Sequence, residues 1–531
     1  MKQRHITLAA ALAAALTLTL AACGEPGGAE AQAGAGEGDE IRFALGSAVG
    51  TLSVFQEAGI ANYHLAALSE EGLTALGGDG ELEGAIAESW STEDLTTWVF
   101  DLRDGVTFHD GTPVTPKDVL FSLDVARDPE LAPGLSTYWP DGLVVSAEAT
   151  GPAQVTIVLD GPHADFAAQA SAAGGLFVVP QAFWEQAEAF GSPGDLVRGT
   201  GPYEVVEFDP ASHVSFEKYQ GYWGDNSGPA KVRVDFITDD AARLLAFQDG
   251  SVDVSLTVPP DQAASWESVA DAQVAYFSDR SYQGLTFDAG VEPFDDVHVR
   301  RAVAHAVDKD AIVRGILLGH GQAATGIDNP VQLAGWVGLE QAEAAVAELP
   351  APAFSLEDAR AELAQSSVPD GFAATLTYPT GYPAVGKASL AIAQNLAELG
   401  VTLDVKEIPL EQWLSEVGDG AQGVAWMIYG PTTPVPNEIT GWLLAADGPG
   451  ANPANWEDAG VAATVAGIGA LEDPAAQFQS TLDATAAALQ QAVYAPVYWG
   501  EAAIATGHGV AAQDFGSYTF ATNWARAFVR E

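Results

Sequence analysis

Apolar and polar positions alternate along several short stretches of this chain and recur every three or four residues along others. The first regime marks half-buried strands and the second amphipathic helices. The clearest run spans Ala85 to Leu123. After a polar turn at Ser91 to Asp94, residues Trp98, Phe100 and Leu102 fall on one face of an extended segment, which predicts a strand. A turn at Asp104-Gly105 leads to a second short strand, Val106 to Phe108, and then to the dense turn residues His109-Asp110-Gly111-Thr112-Pro113. Thr115 is suited to cap a helix, with Pro116 at its first position and Asp118 reaching back to the free amides. Val119, Leu120 and Leu123 give that helix an apolar face. The whole predicts an antiparallel hairpin feeding a helix.

The same patterns predict a strand at Ile41 to Leu45 and a helical run from Asn62 to Leu76, closed by Gly77-Gly78. Val155 to Leu159 alternates as a strand, and Ala164 to Ala173 predicts a helix. Strand Val232 to Thr238, a helix capped by Asp239 or Asp240 and ended by Gly250, and strand Val252 to Leu256 form a βαβ unit. A second unit comprises strand Thr375 to Tyr378, helix Ala388 to Leu399 and strand Val401 to Ile408. Two separated βαβ units argue for two α/β lobes. Between them, Val299, Val303 and Ala306 share a helical face, and Asp308 is placed to cap the next helix. Ala475 to Gln491 is an Ala-rich helix.

Several irregular strings carry more information than any pattern. Glu88-Ser89-Trp90 and the continuous run from Leu102 through His109-Asp110-Gly111-Thr112-Pro113 to Leu123 resemble the signature of the extracellular solute-binding proteins that bind peptides or nickel for ABC importers. Arg198-Gly199-Thr200-Gly201-Pro202-Tyr203, the aromatic segment Tyr219 to Gly224, and Pro293 to Lys309 resemble further segments of that family. A phosphate-cradling loop at Arg198 to Tyr203 is rejected, because no third glycine and no helix start follow. The resemblance implies an α/β fold of the two-lobed periplasmic-binding-protein kind, type II, in the large class with an extra subdomain in the first lobe. It implies a first lobe at 41–280 with the insertion at about 52–185, a second lobe at 281–495, and a return at 496–531. Hinges are expected near Tyr282 and Ala495.

Ligands of this family lie between the lobes, against aromatic side chains. Trp413, in Glu411-Gln412-Trp413, and Trp426 resemble elements that supply them. In the peptide-binding branch that second tryptophan is soon followed by Asp-Tyr-x-x-Pro, whose Asp pairs with the peptide amine. Here Tyr429 stands about where the Asp belongs, and the next carboxylate is Glu438. A buried ammonium needs a compensating charge, so either Glu438 meets it after loop rearrangement or the ligand has no free amine. Ligand-binding candidates are therefore Trp413, Trp426, Tyr429 and Glu438, with Tyr138 and Tyr282 behind them. Core packing is the competing reading for the aromatics. His305 is read as a packed helix residue, because no second His or Cys lies at ligand spacing. Arg300 and Arg301 are assigned to structural or surface pairing before carboxylate binding.

Composition narrows the function classes. Asp and Glu number 72 against 21 Lys and Arg, for a net charge of −51. Such a surface repels nucleic acid and anionic lipid, and it is read chiefly as a solvated acidic shell. The single cysteine excludes an internal disulfide. Lys2 and Arg4, the apolar run Ile6 to Leu20, and Leu20-Ala21-Ala22-Cys23 resemble a lipoprotein signal, with residues 1–22 removed and Cys23 lipidated. Residues 23–40 then form a flexible tether rich in Gly, Ala and Glu. No G-x-S-x-G, H-E-x-x-H or C-x-x-C occurs, so catalytic residues, metal ligands and cofactors are not assigned. The expected protein is a monomeric, lipid-anchored receptor outside the cytoplasmic membrane. It would bind a peptide or peptide-like solute and partner a permease and an ATPase. A receptor for a metal chelate or other non-peptide solute, and an exported hydrolase, are the alternatives.

Overall fold

The computed structural model describes residues 40–531 apart from 79, 419–422, 432 and 447–450. The expected signal peptide, the lipidated Cys23 and all of the tether but Glu40 lie outside the described residues.

Most strands join one large mixed sheet. In spatial order it begins with Thr402–Ile408, Ala373–Pro379, Val424–Tyr429 and Tyr282–Phe287. It continues through the long strand Tyr494–Thr506 to Val254–Ser255, Glu40–Leu45, Lys231–Phe236, His213–Lys218 and Tyr203–Asp209. Parallel pairing occurs where a helix makes the return. Glu40–Leu45 is flanked by Lys231–Phe236 and Val254–Ser255, both parallel to it, with helix Asp240–Gln248 crossing between them. Ala373–Pro379 runs parallel to Thr402–Ile408 and Val424–Tyr429, with helix Pro383–Ala397 in the first crossover. These are the two βαβ units, one at each side of the sheet. A separate antiparallel sheet holds Ala87–Thr92, Thr97–Leu102, Gln154–Leu159 and Val144–Gly151 in that order.

The strand Tyr494–Thr506 belongs to both sides. Its first part, Tyr494 to Tyr498, pairs with Tyr282–Phe287, and its last part, Glu501 to Thr506, with Gln273–Ser278. The chain therefore passes between the two halves at Asp279 to Ser281 and again in the middle of this strand.

Local chemistry sets the helix starts. Asp118 Oδ2 accepts from Thr115 N at 3.1 Å and from its Oγ1 at 2.6 Å. Asp239 and Asp308 accept from Ala242 N and Ala311 N.

Three elements differ from the pattern. Val106 to Phe108 forms no strand: Thr107 makes an isolated bridge to Pro113, because both edges of Thr97–Leu102 are already occupied by Ala87–Thr92 and Gln154–Leu159. Of Ala164 to Ala173 only Phe166–Gln169 is helical. Beyond it Ala170 O accepts from Leu73 N at 2.9 Å and Ser171 bridges Thr74, so tertiary pairing displaces helix despite the alanines. The helix expected to reach Leu76 spans Ile60–Ser69, and Thr74–Leu76 pairs instead with Leu82–Gly84.

One buried acid ties the chain end to the first strand. Asp253, 1% exposed, accepts from Arg42 N, Nε and Nη2 at 2.9, 3.1 and 2.9 Å and from Arg530 Nη2 at 3.1 Å. Arg530 Nη2 also donates to Glu40 O at 2.7 Å. Asp253→Ala is expected to cost about 2 kcal/mol, at the low side because both guanidiniums can turn to water. Urea midpoints measure this. A loss no larger than the ~0.5 kcal/mol of ordinary surface changes means that the cluster contributes nothing.

Candidate functional site

Three of the strings that stand out in the sequence, around His109, Arg198 to Tyr203 and Tyr219 to Gly224, meet at one joint. Glu71 lies just past helix Ile60–Ser69, and its carboxylate accepts from Thr200 Oγ1 at 2.7 Å, Tyr222 OH at 3.0 Å and Trp223 Nε1 at 3.1 Å. Burial pushes its pKa up to about 7 in spite of those donors. His109 Nε2 meets Gly201 O at 3.0 Å, its backbone N donates to Gly199 O at 2.9 Å, and Tyr219 OH donates to Phe108 O at 2.8 Å. The joint is a packing device, half-buried within the first lobe.

A large cavity lies elsewhere, between the two halves of the sheet. Its volume is about 620 Å³, within the range of small-ligand sites. Tyr63, Phe277 and Phe520 line it from one side, Leu317, Tyr382 and Pro431 from the other, and Arg280, Tyr498 and Glu501 from the crossing segments. A second cavity of about 100 Å³ is lined by Tyr138, Asp165 and Gln169 together with Thr433 and Val435. Beside it Ala164 N donates to Gly469 O at 2.6 Å, one of the contacts that join the lobes. Asn329 Nδ2 to Ser278 Oγ, at 2.9 Å, is another.

The six ligand candidates separate into two groups. Trp413, Trp426 and Tyr282 are buried in the core of the second lobe. Trp413 Nε1 donates to Trp426 O at 3.0 Å, and Trp426 Nε1 to Gln283 Oε1 at 3.2 Å. Trp426 sits inside strand Val424–Tyr429, flanked on both sides by other strands. Tyr282 OH donates to Leu285 O at 3.3 Å, and its ring meets Tyr494 edge-on. None of these three lines the cavity.

Tyr138, Tyr429 and Glu438 converge, though outside the walls of the larger cavity; of the three, Tyr138 lines the smaller one. Glu438 Oε1 accepts from Tyr429 OH at 3.1 Å, and Oε2 accepts from Thr433 N at 2.7 Å and Thr433 Oγ1 at 2.5 Å. Burial, with Glu438 and Tyr138 nearby, pushes the Tyr429 phenol well above its usual range. Burial likewise raises the Tyr63 phenol, with Tyr138 and Glu438 adding to the effect. Tyr63 and Tyr138 thus face Tyr429 and Glu438 from the opposite lobe. The pattern of the sequence hid Tyr63 inside a helix, and nothing in it singled out Arg280.

The remaining candidates take structural roles. Arg300 Nε donates to Gln491 O at 3.0 Å and Nη1 to Phe294 O at 2.6 Å, while Arg301 Nη2 donates to Gln490 O at 2.7 Å. The two arginines cap the C-terminal end of helix Pro474–Gln490. His305 Nδ1 meets Ala353 O at 2.8 Å. Among the described residues no group of three or more His, Cys, Asp and Glu side chains is arranged to hold a metal, and no helix is long and apolar enough to cross a membrane.

Comparison with known proteins agrees with this geometry. The family model described as bacterial extracellular solute-binding proteins, family 5 Middle, matches residues 81–450, and the chain belongs to that family. The glutathione-binding protein GsiB of Escherichia coli (strain K12) is 26% identical over 385 residues, 71% of each chain. Among solved structures, the periplasmic binding protein DppA from Helicobacter pylori, in complex with the peptide STSA, superposes with a TM-score of 0.77 at 21% identity. That match covers 93% of this chain and 98% of the other. NikA from Staphylococcus aureus, in complex with Ni(L-His)2, gives a TM-score of 0.70 at 16% identity over 89% of this chain and 96% of its own. The fold is the two-lobed α/β architecture of type II periplasmic binding proteins.

Proposed function

We propose that this chain is the extracytoplasmic receptor of an ABC importer, anchored through lipid on Cys23, that takes a peptide or peptide-like solute into the cleft between its lobes. The observation that carries the reading is the cavity of about 620 Å³ bounded by both lobes and by the segments crossing between them. In this reading the lobes span 41–280 and 281–495 with the return at 496–531, and the insertion is put at about 52–185, a range that includes the separate four-stranded sheet. Closure turns about Asp279 to Ser281 and the middle of Tyr494–Thr506, so that ligand shifts a conformational equilibrium and no bond is made or broken. The monomer then presents the closed form to the permease and ATPase. Relatives named for glutathione and for peptide ligands support a peptide-like solute.

In this reading Glu438 receives the ligand's amine in place of the missing aspartate, with Tyr429 and Thr433 holding its carboxylate in place. Glu438→Gln is expected to weaken binding of free-amine peptides such as Met-Leu by about 10- to 100-fold and to leave N-acetyl-Met-Leu unaffected. Calorimetry on the pair decides it, since equal losses for both peptides remove the amine role.

A native mass spectrum of the gently purified protein tests the function itself. A bound mass that resolves on denaturation into a ladder of peptides is the expected result. A single discrete non-peptide mass, such as a metal chelate, overturns the peptide assignment and ties the replacement at Tyr429 to a different solute class.

A further inference from the structure

Among the described residues that line the cavity, Arg280 is the one Lys or Arg, and its setting is unusual for a chain with 72 acids and 21 bases. Among the described residues no carboxylate lies within ion-pair distance of its guanidinium, whereas the acids that line the cavity have other partners. Asp240 takes Arg243 Nη2 at 2.6 Å, Glu501 Oε2 lies 3.5 Å from His320 Nδ1, and Asp279 Oδ1 accepts from Ser281 N and Oγ at 2.9 and 2.8 Å. The Arg280 guanidinium stacks over the Tyr518 ring at 4.5 Å and interacts with its hydroxyl, while its Nη1 is enclosed and makes no well-formed hydrogen bond. A buried donor without an acceptor is costly, and such groups in native proteins have a reason to be there.

The backbone makes the same point independently. Arg280 has φ of +60°, a left-handed conformation that a long side chain adopts only under constraint. It occupies the short connection between Gln273–Ser278 and Tyr282–Phe287, one of the two places where the chain passes between lobes. Strained residues concentrate at ligand clamps and switch segments, where surrounding structure holds them.

We propose that Arg280 is the anchor for a single carboxylate of the ligand, bound at the hinge itself. The inference rests on reading the cavity as a solute cleft, and it adds the chemical class of group that the cleft demands. A carboxylate fits better than a phosphate or other dianion. Its two oxygens match the planar fork of a guanidinium, and its one charge is all that Arg280 can balance with Asp279 and Glu501 alongside. Binding there places the ligand's charge on the connection that must move for the lobes to close, so an occupied hinge and a closed cleft favour each other.

The test uses probes that do not presuppose a peptide: N-acetyl-leucine, a monoanion, and its neutral amide N-acetyl-leucinamide, titrated calorimetrically at millimolar concentration. Wild type should bind the anion at least about tenfold more tightly than the amide. Arg280→Gln should reduce that preference to about threefold or less, and Arg280→Lys should keep part of it. The proposal fails if wild type binds the two alike, binds neither, or if the preference survives in Arg280→Gln. Should the variant misfold, as judged by circular dichroism and its unliganded melting point, the acid-against-amide comparison on wild type still decides. Binding of the anion without any bound peptides in the native spectrum removes the peptide reading and keeps Arg280. Peptides bound without preference for the free acid do the reverse.

Discussion

Glu70→Gln is expected to stabilise the protein at about pH 8.5 by a few kcal/mol and to change it little near pH 4. Glu70 follows helix Ile60–Ser69, is 2% exposed, and neither carboxylate oxygen has a hydrogen-bond partner. Burial alone pushes its pKa from the ordinary 4.5 to about 8. Below about pH 4.5 the acid is protonated in both folded and unfolded chains, and its contribution to stability is fully present. As the pH rises towards 8 the unfolded chain loses this proton while the native state retains it. The unfolded state then binds fewer protons, so stability falls through that window and the loss is complete above the folded pKa. The neutral amide has no such titration. Burial also raises the neighbouring Glu71, to about 7, but that titration is common to both proteins and cancels in the difference between them. Urea midpoints of wild type and variant across this pH range are the measurement, and parallel profiles would show that Glu70 finds a partner.

Gly199→Ala should destabilise the same joint by about 3 kcal/mol or more. A Cβ at Gly199 would fall 1.9 Å from Ser69 O and 2.8 Å from Glu70 Cα, and both obstacles are backbone at the end of a packed helix. Neither can rotate aside as a side-chain tip could. Gly201 is nearly as tight, with Ser69 C at 2.7 Å. Gly194 supplies the control: it is exposed, the nearest atom to its added Cβ is Ser192 Oγ at 3.9 Å, and Ala there should cost no more than about 0.5 kcal/mol. If Gly199→Ala unfolds at the same urea concentration as Gly194→Ala, the joint yields and the close approach is not what the glycine is for.

These two residues explain why the strings in this chain advertise a family so well and a ligand so poorly. Arg198 to Tyr203, the segment around His109, and Tyr219 to Gly224 interlock through hydrogen bonds and backbone contacts too close for a side chain. Few residue types satisfy such a joint, so its wording is distinctive. The walls of the cavity obey weaker rules, since many apolar and aromatic side chains line a cleft equally well.

Periodicity and capping chemistry were therefore legible before any coordinates. Thr115 with Asp118, Asp239 and Asp308 start their helices through contacts within three residues, which need no knowledge of the rest of the chain. The alternation at Trp98, Phe100 and Leu102 identifies a strand because one face must be buried wherever that strand lies. Tertiary structure decided the rest. Ala170 and Ser171 leave a helix to pair with Leu73 and Thr74, and Trp426 is enclosed because strands pack on both sides of it. The cavity, the meeting of Tyr63 and Tyr138 with Tyr429 and Glu438, and the placing of Arg280 against Tyr518 depend on residues hundreds of positions apart. Local propensity acts over a few residues, whereas a cleft between lobes exists only after long-range pairing brings them together.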